Sequence, residues 1–228
     1  MLPTPLNADF QGVSRQPGIP KPTVGVVHVW SFCTSSIASL TSEESLRAEA
    51  FLDPLAKAAF VRGRSGLRTV GSWYLGVPPG DLSIETAAGG KPFYVGEETV
   101  RFNLSHCGSN VVAAFASEEI GIDIEDPARI TDFLAIAKRY FQPSENQLIL
   151  GAGDQGREMF FRIWTAKEAL LKLSGQGLAG GLELAESDGG SHATLAGQRV
   201  FIRHFSRGAV CGAIASFSPF EVKGWFEI

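Results

Sequence analysis

The segment Ile120-Gly121-Ile122-Asp123-Ile124-Glu125 alternates isoleucine with small or acidic residues. Successive side chains of a β-strand point to opposite faces, so this pattern predicts a strand whose isoleucines share a buried face. Asp123 and Glu125 then lie together on the other face. Two parallel carboxylates repel each other, and proteins usually hold such a pair beside water or a bound cation. The segment therefore predicts a sheet that carries a paired acidic face.

A third acid, Glu168, lies in a stretch with helical periodicity. Phe161, Trp164, Glu168 and Leu171 recur at spacings that place them on one stripe of a helix. An unpaired carboxylate on an apolar stripe is costly, so we expect Glu168 to pair with Lys172, four residues later, or with a metal ion. Carboxylate oxygens favour magnesium or calcium, and magnesium typically bridges carboxylates to substrate phosphates. The structural alternative is a solvated strand edge for the first two acids and an ordinary helical ion pair for Glu168.

Four ordered blocks of the sequence resemble the surfactin-synthetase-activating (Sfp-type) 4'-phosphopantetheinyl transferases. The two signature blocks are Gly121-Ile122-Asp123-Ile124-Glu125 and Trp164-Thr165-Ala166-Lys167-Glu168-Ala169-Leu170-Leu171-Lys172. Two weaker blocks precede them, Gly90-Lys91-Pro92 and Phe102-Asn103-Leu104-Ser105-His106. The resemblance runs from about Arg47 to about Lys172. The remaining C-terminal third is similar to the family only in length and strand-like character.

The resemblance implies an enzyme that transfers the 4'-phosphopantetheine group from coenzyme A to a serine hydroxyl of an apo acyl- or peptidyl-carrier protein, releasing 3',5'-ADP. It also implies Mg²⁺ on the coenzyme A pyrophosphate, held by Asp123, Glu125 and Glu168. Glu168 is in addition the expected base for the serine. The residue types suit phosphoryl transfer, which depends on positioning and charge neutralisation rather than on covalent chemistry by the protein.

The resemblance further implies four side chains that contact the phosphates of coenzyme A: Lys91, Ser105, His106 and Lys172. In this family a basic residue from the N-terminal half reaches the adenine nucleotide. The family's usual acidic-then-arginine pattern is replaced here by Lys57-Ala58-Ala59. A nearby basic cluster offers the candidates Arg62, Arg64 and Arg68, of which Arg64 is assigned to the coenzyme A site; the alternative is a solvated surface of an exposed helix.

Two further functions remain open from the acids alone: a magnesium-dependent phosphohydrolase that acts on a nucleotide or coenzyme A, and a non-catalytic module that binds coenzyme A or a carrier. For transfer, the acidic partner protein is expected to dock between Arg129 and Tyr140, where Lys138 and Arg139 lie beside an exposed Phe133. The carrier could serve fatty acid biosynthesis or secondary metabolism.

The composition of the 228-residue chain limits the classes of protein it can belong to. Its 44% hydrophobic content is enough for a sizeable core. A net charge of −4 provides no basic field for nucleic acid. No apolar stretch approaches the ~20 residues of a membrane helix, and the N-terminus lacks a signal pattern, so we expect a cytoplasmic protein with no membrane partner. The widely spaced Cys33, Cys107 and Cys211 predict buried free thiols.

Helical and strand-like segments occur in two rounds, before and after about residue 118. The predicted fold class is α+β, and the resemblance implies a monomeric pseudo-dimer of two similar halves with the active site in the cleft between them. The expected divisions are a flexible extension over 1–22, an N-terminal half over 23–118, and a C-terminal half over 119–228 that carries the acids. Predicted helices cover 41–61, interrupted at Pro54, and 66–75, 131–141 and 158–173, with another opening at Pro143. Predicted strands cover 24–32, 93–95, 100–104, 111–116, 120–124, 199–205, 209–217 and 222–227, and 175–181 is expected to be a flexible turn.

Overall fold

A computed structural model of the chain describes residues 19–33, 40–129, 132–175 and 181–228. These residues form helices and sheets together, so the predicted α+β class is confirmed. The chain divides into two compact units. In its described residues, the N-terminal unit comprises 19–86, 92–118 and 220–228, and the C-terminal unit comprises 87–91 and 119–219. The predicted halves and the flexible extension stay predictions, and residues 1–18 lie outside the described ranges.

The N-terminal unit is built around a four-stranded sheet. Its strands are β1 (Val26–Ser31), β4 (Arg101–Cys107), β5 (Asn110–Ala116) and β11 (Glu221–Glu227), in the order β11-β1-β5-β4. The last strand of the chain pairs with β1 in parallel, whereas the other pairs are antiparallel. The short strands β2 (Ile84–Thr86) and β3 (Pro92–Tyr94) form a separate hairpin.

The described residues of this unit also form the α-helices α1 (Ser42–Glu49) and α2 (Pro54–Leu75). Thr41 caps α1 through a reciprocal capping box with Glu44. The predicted interruption at Pro54 is confirmed: α1 ends at Glu49, and Asp53 caps a second helix that begins at the proline, where its missing N–H costs nothing. The predicted separation of a helix ending at 61 from one over 66–75 is wrong, because α2 continues without a break through Gly66, where a Cβ atom would lie 2.4 Å from the Phe32 ring. Close packing therefore explains a glycine inside a long helix.

Aromatic side chains dominate the core of the N-terminal unit. Trp30, Phe102 and Phe115 on the sheet pack with Leu67 and Tyr74 of α2. The Tyr74 hydroxyl accepts a hydrogen bond from the indole of Trp30 at 2.9 Å, so this polar group is satisfied inside the core. The sheet consequently has one face covered by α2.

The C-terminal unit contains a five-stranded antiparallel sheet in the order β6-β10-β9-β8-β7. Its strands are β6 (Gly121–Glu125), β7 (Ala185–Ser187), β8 (His192–Leu195), β9 (Gln198–Arg207) and β10 (Val210–Ser216). The helices are α3 (Phe133–Tyr140), α4 (Pro143–Gly151) and α5 (Gly156–Ser174). The predicted strands of both units and the predicted helices of this unit match the observed ones with shifts of at most three residues, while the short β2, β7 and β8 have no predicted counterpart. The predicted turn at 175–181 lies mostly outside the described residues.

Helix α5 packs on the sheet and separates two clusters of buried side chains. One cluster joins its C-terminal part to the sheet through Ala166, Leu170, Val200 and Ile202. The other joins its N-terminal part to α3 and α4 and is centred on Phe160. Because α5 contributes to both clusters, packing on two sides fixes the helix and, with it, the positions of its side chains.

The three cysteines are free thiols, as predicted, but only Cys107 is buried. Cys33 is exposed and Cys211 is partly buried, so the prediction of burial is wrong for these two. None of the described helices combines the length and hydrophobicity that a membrane-spanning segment needs.

Candidate functional site

Strand β6 and helix α5 bring the predicted acids together, and Gly121 makes this possible. A Cβ atom at Gly121 would lie 2.0 Å from the backbone oxygen of Ala169 and 2.7 Å from the backbone nitrogen of Leu173. The strand therefore contacts the helix backbone directly at this position. Because alternate residues share a face, Asp123 and Glu125 also point towards the α5 side of the strand.

The buried Asp123 forms an ion pair with Lys172 across this strand–helix contact. The Lys172 Nζ lies 2.6 Å from Asp123 Oδ1. Two residues further along β6, Glu125 Oε1 accepts a hydrogen bond from the indole Nε1 of Trp164 at 3.1 Å. The two strand acids are thus each in contact with a different turn of α5.

Glu168 lies between these two contacts on α5, one turn from each, and is partly buried. Burial raises its pKa to about 7, and the negative charge of Asp123 and Glu125 adds to that effect. The positive charge of Lys172 acts in the opposite direction. The charges of Asp123, Glu125 and Lys172 therefore all act on the Glu168 carboxyl group.

The structural alternative for these residues is wrong for Asp123. Asp123 is buried rather than on a solvated strand edge, since α5 covers that face of β6. Lys172 makes a 2.6 Å ion pair with Asp123 of the strand and also acts electrostatically on Glu168. In the described ranges, no three His, Cys, Asp or Glu side chains are grouped so that they could hold a metal ion as they stand.

The chemistry of the donor set nevertheless fits a hard divalent cation. Three carboxylates act on one another here, and their mutual repulsion contributes to the raised pKa of Glu168. A divalent cation would relieve that repulsion, and oxygen ligands are the ones that magnesium prefers. In the described arrangement the Lys172 ammonium carries part of that compensation.

Lys91 is held by contacts within the C-terminal unit. Its Nζ lies 2.6 Å from Glu119 Oε2 and donates hydrogen bonds to the backbone oxygens of Ile120 and Leu173 at 3.0 and 3.3 Å. The last of these oxygens belongs to the final turn of α5, where a cation is favoured by the helix dipole. Lys91 therefore links the entrance of β6 to the end of α5.

Ser105 and His106 lie at the end of β4 in the N-terminal unit. Ser105 is buried and pairs with Val112 of β5, while His106 is exposed and pairs with Val111. Adjacent strand residues face opposite ways, so only one of these two side chains is presented to solvent.

The basic cluster on α2 does not lie on an exposed helix, and its members separate. Arg62 donates to the backbone oxygen of Ser109 at 2.6 Å. Arg68 is buried against Glu44, with contacts of 2.8 and 3.0 Å, and also donates to two backbone oxygens. The expectation of a solvated surface is therefore wrong for Arg68.

Arg64 instead lines a cavity of about 700 Å³ within the N-terminal unit. Its guanidinium lies 4.0 Å from Glu44 Oε1 and 5.6 Å from the centre of the Phe60 ring. Burial lowers the pKa of this guanidinium, and the neighbouring Glu44 acts in the opposite direction. Arg47 lines the same cavity and was not singled out in the sequence. The sequence signal that could have identified Arg47 is its position in α1, one turn after Glu44 of the capping box.

The predicted docking helix is α3, whose last turn carries the exposed Lys138 and Arg139. The prediction that Phe133 is exposed is wrong, because its ring packs against Phe160 with centroids 5.5 Å apart. The exposed apolar side chain is its neighbour Leu134, which is 47% exposed. Helix α3 therefore combines two basic side chains with an exposed apolar one, as predicted, but the apolar residue is Leu134 instead of Phe133.

A buried acid paired with lysine, next to a carboxylate of raised pKa, is suited to an enzyme that acts on phosphate esters, where charge must be neutralised and a proton accepted. The model of the 4'-phosphopantetheinyl transferase superfamily matches residues 119–212, which include β6 and α5.

Individual relatives agree with this family match. The 4'-phosphopantetheinyl transferase HetI of Nostoc sp. is 37% identical over 166 residues, covering 67% of this chain and 70% of that protein. The 4'-phosphopantetheinyl transferase Sfp of Bacillus subtilis is 38% identical over 100 residues, covering 43% and 44%. The L-aminoadipate-semialdehyde dehydrogenase-phosphopantetheinyl transferase of Pongo abelii is 31% identical over 166 residues, covering 67% and 54%. The chain belongs to the 4'-phosphopantetheinyl transferase superfamily, which confirms the predicted family and enzyme class.

Proposed function

We propose that the chain transfers 4'-phosphopantetheine from coenzyme A to the serine hydroxyl of an apo acyl- or peptidyl-carrier protein, with Mg²⁺, and releases 3',5'-ADP. The observation that carries the proposal is the apposition of β6 and α5. It joins Asp123 to Lys172 and leaves Glu168 with a pKa of about 7, within the segment matched by the family.

Glu168 is the base in this proposal. Without a bound metal, burial and the neighbouring acids raise the pKa of this carboxyl to about 7, so its surroundings favour the acceptance of a proton. It takes the proton of the serine hydroxyl as the new serine O–P bond forms. At the same time, the P–O bond to the leaving nucleotide breaks, and 3',5'-ADP departs with the electron pair.

Lys172 neutralises negative charge beside the reacting phosphate. Its ammonium is partly exposed, whereas its partner Asp123 is almost fully buried. The side chain can therefore reach outwards from the acid towards a phosphate oxygen without leaving solvent contact. Charge neutralisation of this kind is a large part of catalysis in phosphoryl transfer.

Asp123, Glu125 and Glu168 would hold the Mg²⁺. When bound, the ion acts as a Lewis acid on the pyrophosphate and orients it for in-line displacement. The raised pKa of Glu168 supports this assignment, because a cation relieves the repulsion that contributes to the shift.

The N-terminal unit supplies the proposed nucleotide site. Arg64 and Arg47 line one cavity with the ring of Phe60, and in this proposal the two guanidinium groups contact a phosphate of the nucleotide. Glu43, Asp81 and Glu85 line the same cavity. His106, exposed at the end of β4, is a further proposed phosphate contact of this unit, and Lys91 is one from the C-terminal unit. The phosphate contact of the buried Ser105 stays a prediction. We retain the prediction of a pseudo-dimer with coenzyme A in its cleft. The cytoplasmic location, monomeric state and absence of nucleic-acid or membrane partners also stay predictions.

The deciding experiment incubates the protein with coenzyme A, Mg²⁺ and several apo carriers and measures intact carrier mass. The proposal requires a phosphopantetheine adduct on the carrier serine, and it requires that Glu168→Gln retain coenzyme A binding but lose most turnover. A second reaction without carrier tests the phosphohydrolase alternative. Rapid Mg²⁺-dependent release of 3',5'-ADP in that reaction, with unmodified carriers in the first, would overturn the proposal. Binding of coenzyme A without either product would indicate a non-catalytic module instead.

A further inference from the structure

An ion pair is buried in the C-terminal unit, behind the acids. Lys167 of α5 is 0% exposed and Glu145 of α4 is 3% exposed. The Lys167 Nζ donates to both carboxylate oxygens of Glu145, at 2.7 and 3.0 Å. Moving two charges out of water costs desolvation free energy, so we expect this pair to do more than cover apolar surface.

Glu145 joins three elements through its carboxylate. The backbone N–H of Ser187 in β7 donates to Oε1 at 3.0 Å, and the backbone N–H of Gln142 donates to Oε2 at 2.8 Å. Together with Lys167, these bonds fix α4, α5 and β7 at one point. The carboxylate is therefore satisfied on both oxygens, as a well-defined buried network requires.

A chain of ring contacts leads from this point to the acids of β6. The Lys167 ammonium lies 5.2 Å from the centre of the Phe141 ring. Phe141 stacks on Trp164, with centroids 6.0 Å apart and planes at 25°. Trp164 donates its indole N–H to Glu125 Oε1 at 3.1 Å. Every step is a packed or hydrogen-bonded contact.

The energetics of buried ion pairs indicate that such a pair fixes the geometry of the elements it joins more than it adds to stability. Replacing both partners of a buried ion pair by neutral groups of similar shape is often neutral or stabilising, whereas removing one partner is strongly destabilising. A network that adds little net stability can still fix a single arrangement of the elements it joins. Here those elements carry Trp164 and, one residue after Lys167, Glu168.

We propose that the Glu145–Lys167 pair is a positioning device that holds Trp164, through Phe141, so that the indole fixes the Glu125 carboxylate for its role in the site. Neither residue of the pair contacts substrate. The inference rests on the proposed function for its kinetic consequence, whereas its structural consequence is independent of that function.

The test uses the full-length protein with both charges removed, Glu145→Gln with Lys167→Met. This double variant keeps an acceptor for the Ser187 N–H and a chain of similar length at 167. Val200→Ala is the matched control, because it perturbs a different buried cluster of the same unit. The protein is labelled with 5-fluorotryptophan, and Trp164→Phe assigns the Trp164 resonance among the four tryptophans.

Three results are expected for the double variant. The ¹⁹F resonance of Trp164 moves or broadens while the other three stay in place. The affinity for Mn²⁺, measured by electron paramagnetic resonance as a stand-in for Mg²⁺, falls about tenfold. The kcat falls about ten- to a hundredfold with little change in the KM for coenzyme A, since small misplacements of reacting groups have effects of this size. Val200→Ala should change none of these beyond twofold.

An unmoved Trp164 resonance with Mn²⁺ affinity and kcat within twofold of wild type would overturn the inference. If the double variant does not fold, Phe141→Leu, which interrupts the ring contacts but leaves the ion pair, replaces it with the same expected and contradicting results. A wild-type protein without transferase activity would refute the proposed function. The resonance of Trp164 would still decide the positioning role in that case.

Discussion

Gly121 is the position at which a single added methyl group should separate the acids from α5. In Gly121→Ala, the new Cβ would lie 2.0 Å from the Ala169 backbone oxygen, about 1.4 Å inside the 3.4 Å at which ordinary van der Waals contact begins. The obstacle is helix backbone, which cannot rotate away. Either β6 or α5 must move by about 1 Å, and Asp123, two residues along the strand, moves with it.

Two opposing effects set the size of the stability change. Overpacking of this kind costs about 1–3 kcal/mol or more. Replacing glycine by alanine in a strand returns about 0.5–1 kcal/mol through the lower entropy of the unfolded chain. A net loss of about 1–2 kcal/mol is expected, which for a chain of this size lowers Tm by about 2–8 °C. A displacement of about 1 Å at the acids should reduce kcat by up to about a hundredfold.

Gly151→Ala is the matched control for this prediction. Gly151 ends α4 in the same unit, and a Cβ atom there meets nothing within 4 Å. The control should be neutral or slightly stabilising. Both variants are compared by urea unfolding and by carrier modification at saturating substrate. Equal unfolding midpoints and equal kcat for Gly121→Ala and wild type would show that the strand–helix contact does not position the acids.

Three further predictions concern charge. Without divalent metal, the free energy of unfolding should fall as pH rises from about 4.5 to about 7. The raised pKa of Glu168 makes the folded state bind more protons than the unfolded state in that range, and the variant Glu168→Gln should not show this fall. Charge reversal of Lys138 and Arg139 should raise the KM for an acidic carrier about three- to tenfold and leave the KM for coenzyme A unchanged. Lys167→Met alone should cost about 3–5 kcal/mol in urea unfolding, and adding Glu145→Gln should recover most of that loss.

Each of these predictions has its own contradicting result. A stability–pH curve that is the same for wild type and the Glu168 variant would remove that carboxyl as the source of the slope. Reversal of the exposed Lys223 charge in the N-terminal unit serves as the control for carrier docking, and an equal KM in both variants would remove α3 from the interface. A double variant as unstable as Lys167→Met would show that the lost stability is not due to an uncompensated charge.

Much of the secondary structure could be predicted because its signals are local. Isoleucine alternation predicts β6, and helical periodicity predicts α5, each within two residues of the observed bounds. The break predicted between 61 and 66 is wrong because an interior glycine usually weakens a helix, whereas close packing on Phe32 accounts for Gly66 in the continuous α2. The three-residue β2 and β7 are too short to carry a periodic pattern, and their pairing partners define them.

The sequence by itself determined the family and predicted the acids of its candidate site. Ordered blocks with the acids Asp123, Glu125 and Glu168 were sufficient to predict the family, because residue type and spacing along the chain carry that information. What only the tertiary structure decided is which groups meet: that Lys172 pairs with Asp123, that Trp164 holds Glu125, and that the last strand of the chain pairs with the first. These contacts join residues far apart in sequence. They depend on the distance between packed elements, which no local pattern encodes.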